Sequence, residues 1–113
     1  MNFDNKIKLF DYLKDKNVFI WGARMTGIGA LRQLKNENIN VVNFIDSDYA
    51  FVNNSVHGLH VKHPKDLKTL TKHENSVILI AVSLKEDEIL EQLHNLNINN
   101  MEVISFLDEK SPY

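Results

Sequence analysis

Apolar positions along the chain fall into two alternating patterns: short unbroken runs, and residues recurring every three or four positions. Phe3, Ile7, Phe10 and Leu13 are spaced by four, three and three, which predicts an amphipathic helix over roughly residues 3–15, with Asn2 or Asp4 as its cap. Val18–Trp21 is a continuous apolar run, the mark of a strand buried on both faces. Ile28, Leu31 and Leu34, with Ala30 beside them, return to helical spacing, and Asn36–Asn40 holds the stop. Val41–Ile45 is a second strand. Residues 47–58, rich in asparagine and ending on glycine, read as a loop, and Gly58–Val61 as a short extended piece. Pro64 opens a short helix to about Thr71 with Leu67 and Leu70 inward. Val77–Val82 is a third strand. Ile89, Leu90, Leu93 and Leu96 mark a helical face over Glu86–Asn95, Met101–Phe106 is a last strand, and Leu107–Tyr113 is a tail.

Strand and helix thus alternate behind an opening helix. This order predicts an α/β fold: an open, mostly parallel sheet of about four strands with right-handed crossovers and helices on both faces. The expected organisation is an N-terminal helix, 1–17, packed on a domain of 18–106, with 107–113 as the tail.

Composition narrows the function classes. A chain of 113 residues fits one domain. It contains no cysteine, so disulfides and thiolate metal sites are excluded. Thirteen basic residues against fifteen acidic ones give a formal net charge of −2, and no basic stripe marks a nucleic-acid partner. The apolar runs are too short to span a bilayer, and the polar N-terminus does not resemble a signal peptide. The expectation is a cytoplasmic domain without membrane insertion.

The strongest chemical signal is the turn Gly22-Ala23-Arg24-Met25-Thr26-Gly27 between the first strand and the following helix. In dinucleotide-binding folds three glycines shape this turn: one for the bend, one for approach of backbone to pyrophosphate, and one for helix–strand packing. Gly22 and Gly27 take the first and third roles, and Arg24 stands in the second. A side chain there would crowd a flat pyrophosphate. The helix N-terminus still favours an anion, and a guanidinium can fork onto a phosphate. Alternatively, the glycines serve folding alone and Arg24 is merely solvated.

Asp46 ends the second strand, where an acidic residue about 20 positions beyond such a turn binds ribose hydroxyls. The run Asp46-Ser47-Asp48 would repel a 2′-phosphate, which argues against NADP. Asp46 could equally just begin a turn. Ser83, after the third strand, either reaches the same crevice or caps the next helix, capping being favoured. His57, His60 and His63 alternate faces in an extended segment, so they do not converge as metal ligands. Tyr12 and Lys16 match a Tyr-x-x-x-Lys pattern of short-chain dehydrogenases, but they precede the first strand, away from the crevice. No catalytic residue stands out.

The stretches VFIWGARMTG, INVVNFIDSD, VHGLHVKHPKDL, SVILIAVS and MEVISF together resemble the small Rossmann-type domains of bacterial surface-polysaccharide enzymes. Such domains precede membrane-linked nucleotide-sugar 4,6-dehydratases. Others open sugar acyltransferases that end in a left-handed β-helix, or accompany sugar methyltransferases and glycosyltransferases. The resemblance implies a Rossmann-like fold and a nucleotide or nucleotide-sugar ligand at Gly22–Gly27, with Asp46 near the ribose. It supplies no catalytic base, which in such proteins usually lies in another domain.

Three functions follow as expectations. The first is a binding domain for a nucleotide-sugar or NAD, with a covalently linked catalytic domain or as a homodimer. The second is a ligand-free interaction module that dimerises through open sheet edges. The third, ranked last, is a small NAD-dependent oxidoreductase, for which the chain leaves no room for a substrate half.

Overall fold

The computed structural model describes residues 5–70, 75–82, 86–98 and 101–106. The first helix, α1, is Lys6–Leu13, capped by Asn5, whose side-chain oxygen accepts the Lys8 N–H at 2.9 Å. The expected helix was longer, and the proposed caps Asn2 and Asp4 lie outside the described residues. Its buried residues are Leu9, Phe10 and Leu13. Ile7, expected to face inward, is 73% exposed, and Leu9 takes the core in its place.

Strand β1 (Asn17–Trp21) leads to helix α2 (Met25–Asn36), then β2 (Asn40–Ile45). A two-residue strand β3 (Ser55–Val56) and β4 (Leu59–Lys62) form a hairpin. A turn of 3₁₀ helix at Pro64–Asp66 runs into α3 (Leu67–Leu70). Strand β5 (Ser76–Ile80), helix α4 (Glu86–Asn95) and strand β6 (Glu102–Ser105) follow.

The sheet order is β3-β4-β2-β1-β5-β6, with every pairing parallel except β3–β4. Six strands replace the four expected. The piece foreseen at Gly58–Val61 is a full member of the sheet, pairing Val61 with Phe44 and Lys62 with Ile45, and the foreseen loop contains β3. These strands are short and half exposed, so neither has the apolar run or the alternation that makes a strand readable.

Burial alternates along the central strands as a two-faced sheet demands. Val18 and Ile20 of β1, with Val77 and Leu79 of β5, pack beneath α1 and α2. Phe19 and Trp21, with Ile78 and Ile80, pack beneath Leu67 of α3 and Ile89 and Leu93 of α4. Leu90, expected on the inner face of α4, is 49% exposed. Helices therefore cover both faces, and the architecture is Rossmann-like.

Both long crossover helices end the same way. Asn38 adopts φ 58° and Asn97 φ 59°, in the left-handed region. Ile39 N–H returns to Leu34 C=O at 3.0 Å, and Ile98 N–H to Leu93 C=O at 2.9 Å, while the asparagine N–H groups bond Lys35 and His94 carbonyls. This is the Schellman stop, with asparagine where glycine is commonest. The sequences Asn36-Glu-Asn-Ile-Asn40 and Asn95-Leu-Asn-Ile-Asn99 carry the same pattern, and both isoleucines are buried.

Candidate functional site

The chain leaves β1 for β2 on one side of the sheet and returns for β5 on the other, so β1 is flanked by β2 and β5. At such a switch point the loops beyond the strands' carboxyl ends diverge and open a crevice. Gly22 stands at that point with φ +119°, a conformation that side chains resist. Its N–H bonds Ile45 C=O at 2.7 Å, which ties the turn to β2. A Cβ on Gly22 would meet Val82 Cγ1 at 2.4 Å and Ala81 O at 3.0 Å. A Cβ on Gly27 would stand 1.8 Å from Gly22 O. The two glycines serve different close approaches: Gly22 lets the turn pass against the end of β5, and Gly27 lets α2 pass against the turn.

Arg24 is the N-cap residue of α2 and makes no side-chain capping bond. The first N–H groups of a helix have no acceptor within it, so this end presents donors to the crevice. The guanidinium reaches across: Nη2 donates to Asp48 Oδ2 at 2.9 Å, and Cζ lies 5.1 Å from the centre of the Phe51 ring. Asp46 spans the same gap from the other side. Its Oδ2 accepts the Ala23 N–H at 3.1 Å, and its Oδ1 accepts the Asp48 N–H at 2.9 Å. Asp48 Oδ1 in turn accepts the Ala50 N–H at 2.9 Å. A carboxylate has about four acceptor positions. Asp46 therefore retains capacity for hydroxyl donors after holding the turn.

These residues line an open cleft of about 310 Å³ formed by Trp21, Arg24, Asp46, Ser47, Asp48 and Val82. Two sequence-predicted residues, Arg24 and Asp46, meet here. Gly22, Ala23 and Gly27 form the buried frame of the turn beside it. Met25 and Thr26 are exposed in the first turn of α2. Ser83 lies outside the described residues. Sequence reasoning missed three contributors. Trp21 was read as core alone. Phe51 was placed in an undifferentiated loop. Asp48 was weighed only as a repulsive charge, although an aspartate two residues beyond Asp46 and opposite in sign to Arg24 was the available signal.

A larger recess of about 480 Å³ adjoins it, lined in part by Tyr49, Asn53, Lys62 and Lys65. The loop after β2 faces one hollow with residues 46–48 and the other with Tyr49, Val52 and Asn53. Size favours the second hollow, but the glycine turn, the helix terminus and the switch point all belong to the first.

The other candidate constellations are dispersed. His63 caps the 3₁₀ turn, its Nδ1 accepting the Lys65 N–H at 3.1 Å, and its ring stacks on Tyr49 at 4.8 Å. His60 Nδ1 lies 3.4 Å from Ser55 Oγ. Tyr12 donates to the Glu102 carboxylate at 2.5 and 2.7 Å from its two oxygens, and Lys16 lies over the Tyr12 ring. Glu102 begins β6, so this pair sits at the end of the sheet opposite the cleft. The hydrogen bond to Glu102, with burial and the negative charge adding to it, pushes the Tyr12 hydroxyl up to about 12. No helix among the described residues is long and apolar enough to cross a membrane.

The fold recurs in known structures. UDP-D-quinovosamine 4-dehydrogenase from Vibrio fischeri matches with 27% identity and a TM-score of 0.67, over 83% of this chain and 80% of that one. RSP, a Rex-family repressor, matches with 16% identity and a TM-score of 0.60, over 95% of this chain and 52% of that one. RSP in complex with β-NAD+ and operator DNA matches with 15% identity and a TM-score of 0.61, over 95% and 50%. The likeness to RSP is one of fold. A comparison with curated proteins gives no significant match. Residues 14–104 match the family described as C2185-like, N-terminal, and with most of its length inside that match the chain belongs to this family.

Proposed function

We propose that this chain is a nucleotide-binding Rossmann-like domain that holds a nucleoside diphosphate moiety, as part of a nucleotide-sugar or of NAD, in the cleft between the Gly22–Gly27 turn and Asp46. One observation carries the reading: the uncapped N-terminus of α2, the Arg24 guanidinium and the Asp46 carboxylate converge on one open cleft at the switch point of the sheet. The helix N-terminus and Arg24 suit phosphate oxygens, and Asp46 suits ribose hydroxyls. The likeness to a UDP-sugar dehydrogenase supports a role beside or within an enzyme of cell-surface carbohydrate synthesis. The NAD-bound state of RSP shows that this fold accommodates such a ligand in that protein. In this reading the described residues of the cleft are binding groups, and a linked catalytic domain would supply the chemistry.

Ligand-dependent thermal unfolding tests the reading with UDP-glucose, UDP and NAD. A ligand at 100 times its dissociation constant stabilises by about 2.7 kcal/mol. Asp46→Ala should abolish most of that increment. A shift retained in full by Asp46→Ala removes the ribose assignment. No shift with any of the three ligands removes the nucleotide reading and leaves the dimerising module, which concentration-dependent sedimentation would reveal.

A further inference from the structure

Resting on the nucleotide reading, we infer that Asp48 is a specificity-determining residue of the cleft: it opposes phosphate charge at Arg24 and so favours pyrophosphate diesters over ligands with terminal phosphates. Arg24 occupies the position of the turn where phosphate would lie, and its described polar contact is with Asp48. The pair is open to solvent, with side chains 67% and 40% exposed. Such a pair contributes little to stability and is readily exchanged for a competing anion. The guanidinium also has five donors in a planar fork, of which one reaches Asp48, so a phosphate can share it or take it over. In either arrangement the Asp48 carboxylate remains beside the incoming phosphate.

Charge counting makes this selective. Among the described lining residues of the cleft Arg24 is the cation, and Asp46 and Asp48 are the anions. The described lining is therefore formally negative. A phosphate esterified on both sides carries about one negative charge, whereas a terminal phosphate carries about 1.5 to 2 at pH 7. Free UDP thus meets more repulsion from Asp48 than UDP-glucose or NAD, and a nucleoside meets none. The domain would release a product nucleotide more readily than it releases the sugar-bearing form.

The loop geometry allows a clean test. An asparagine at 48 keeps the acceptor for Ala50 N–H and leaves the backbone N–H bond to Asp46 Oδ1 intact, while the negative charge is lost. Affinities of the full chain for uridine, UDP-glucose, NAD and UDP are measured by calorimetry in wild type and in Asp48→Asn. The expected gain is largest for UDP, roughly two- to five-fold, smaller for UDP-glucose and NAD, and absent for uridine. Raising the salt should erase the gain. Weaker UDP binding in the variant would show that Asp48 positions Arg24, and would overturn the inference, as would an equal change for uridine and UDP. If wild type binds UDP-glucose or NAD and the variant changes nothing, only the role of Asp48 falls. If neither protein binds any of the four, the nucleotide reading falls with it.

Discussion

The two ends of the sheet are built from different materials. At the carboxyl end of β1, close approach governs: α2 comes so near the turn that only hydrogen fits on Gly27, and charged side chains bridge what the turn leaves open. At the amino end, side chains staple neighbouring elements together. Tyr12 of α1 grips Glu102 of β6, and Asn40 Nδ2 donates to Asn17 Oδ1 at 2.8 Å between β2 and β1. The first arrangement demands particular residues because backbone shape is at stake. The second needs only complementary groups, which a neighbour or water can partly replace. A ligand site belongs to the first kind, where rigidity and an open cleft coincide.

Substitutions can break this contrast in graded steps. Gly27→Ala should be the most severe, costing about 3 kcal/mol or more in urea denaturation, because the opposing atom is the backbone oxygen of Gly22, which no side-chain rotation can move. Gly22→Ala comes next, at about 2 kcal/mol: its φ is unfavourable, but the nearest atom belongs to the Val82 side chain, which can turn aside. If either variant unfolds like wild type, close packing does not define this end.

At the amino end the effects are smaller. Tyr12→Phe should cost about 1 kcal/mol at neutral pH. The Tyr12 hydroxyl titrates near 12 in the folded chain against 10 ordinarily, so its contribution is fully present below pH 10 and lost as pH rises through 12. The stability gap between wild type and Tyr12→Phe should therefore hold steady up to about pH 10 and narrow above it. A gap independent of pH over that range would remove the Glu102 bond as its cause. Asn40→Ala, at an exposed contact, should cost about 0.5 kcal/mol or less by the same urea measurement.

The same contrast explains what could be read without coordinates. The buried strands were legible because Val18–Trp21 and Val77–Ile80 lie in unbroken apolar runs, and the turn was legible because Gly22 and Gly27 keep the spacing that helix packing requires. Of the β3–β4 hairpin only the extended piece at Gly58–Val61 was legible, since it joins the sheet through buried Val61 and half-buried Lys62, whose partners Phe44 and Ile45 are far from them in sequence. Ile7 misled because helical spacing names a stripe but not its rotation, and Leu9 won the core. Asp46 was foreseen facing the cleft, but its hold on Ala23 was not. The Asp46-Ser47-Asp48 pattern favours the local turns of this loop, but the Arg24–Asp48 bond joins residues 24 positions apart and depends on how the loop folds back.

The asparagine stops behind α2 and α4 carry a practical consequence. Each seats its isoleucine in the core within three residues of the helix end, so neither connection can be lengthened by one position without pulling that anchor from its seat. The hairpin tip at His57–Gly58 has no such anchor: both residues are exposed, and a Cβ on Gly58 would meet open space. A fluorophore or affinity handle belongs there.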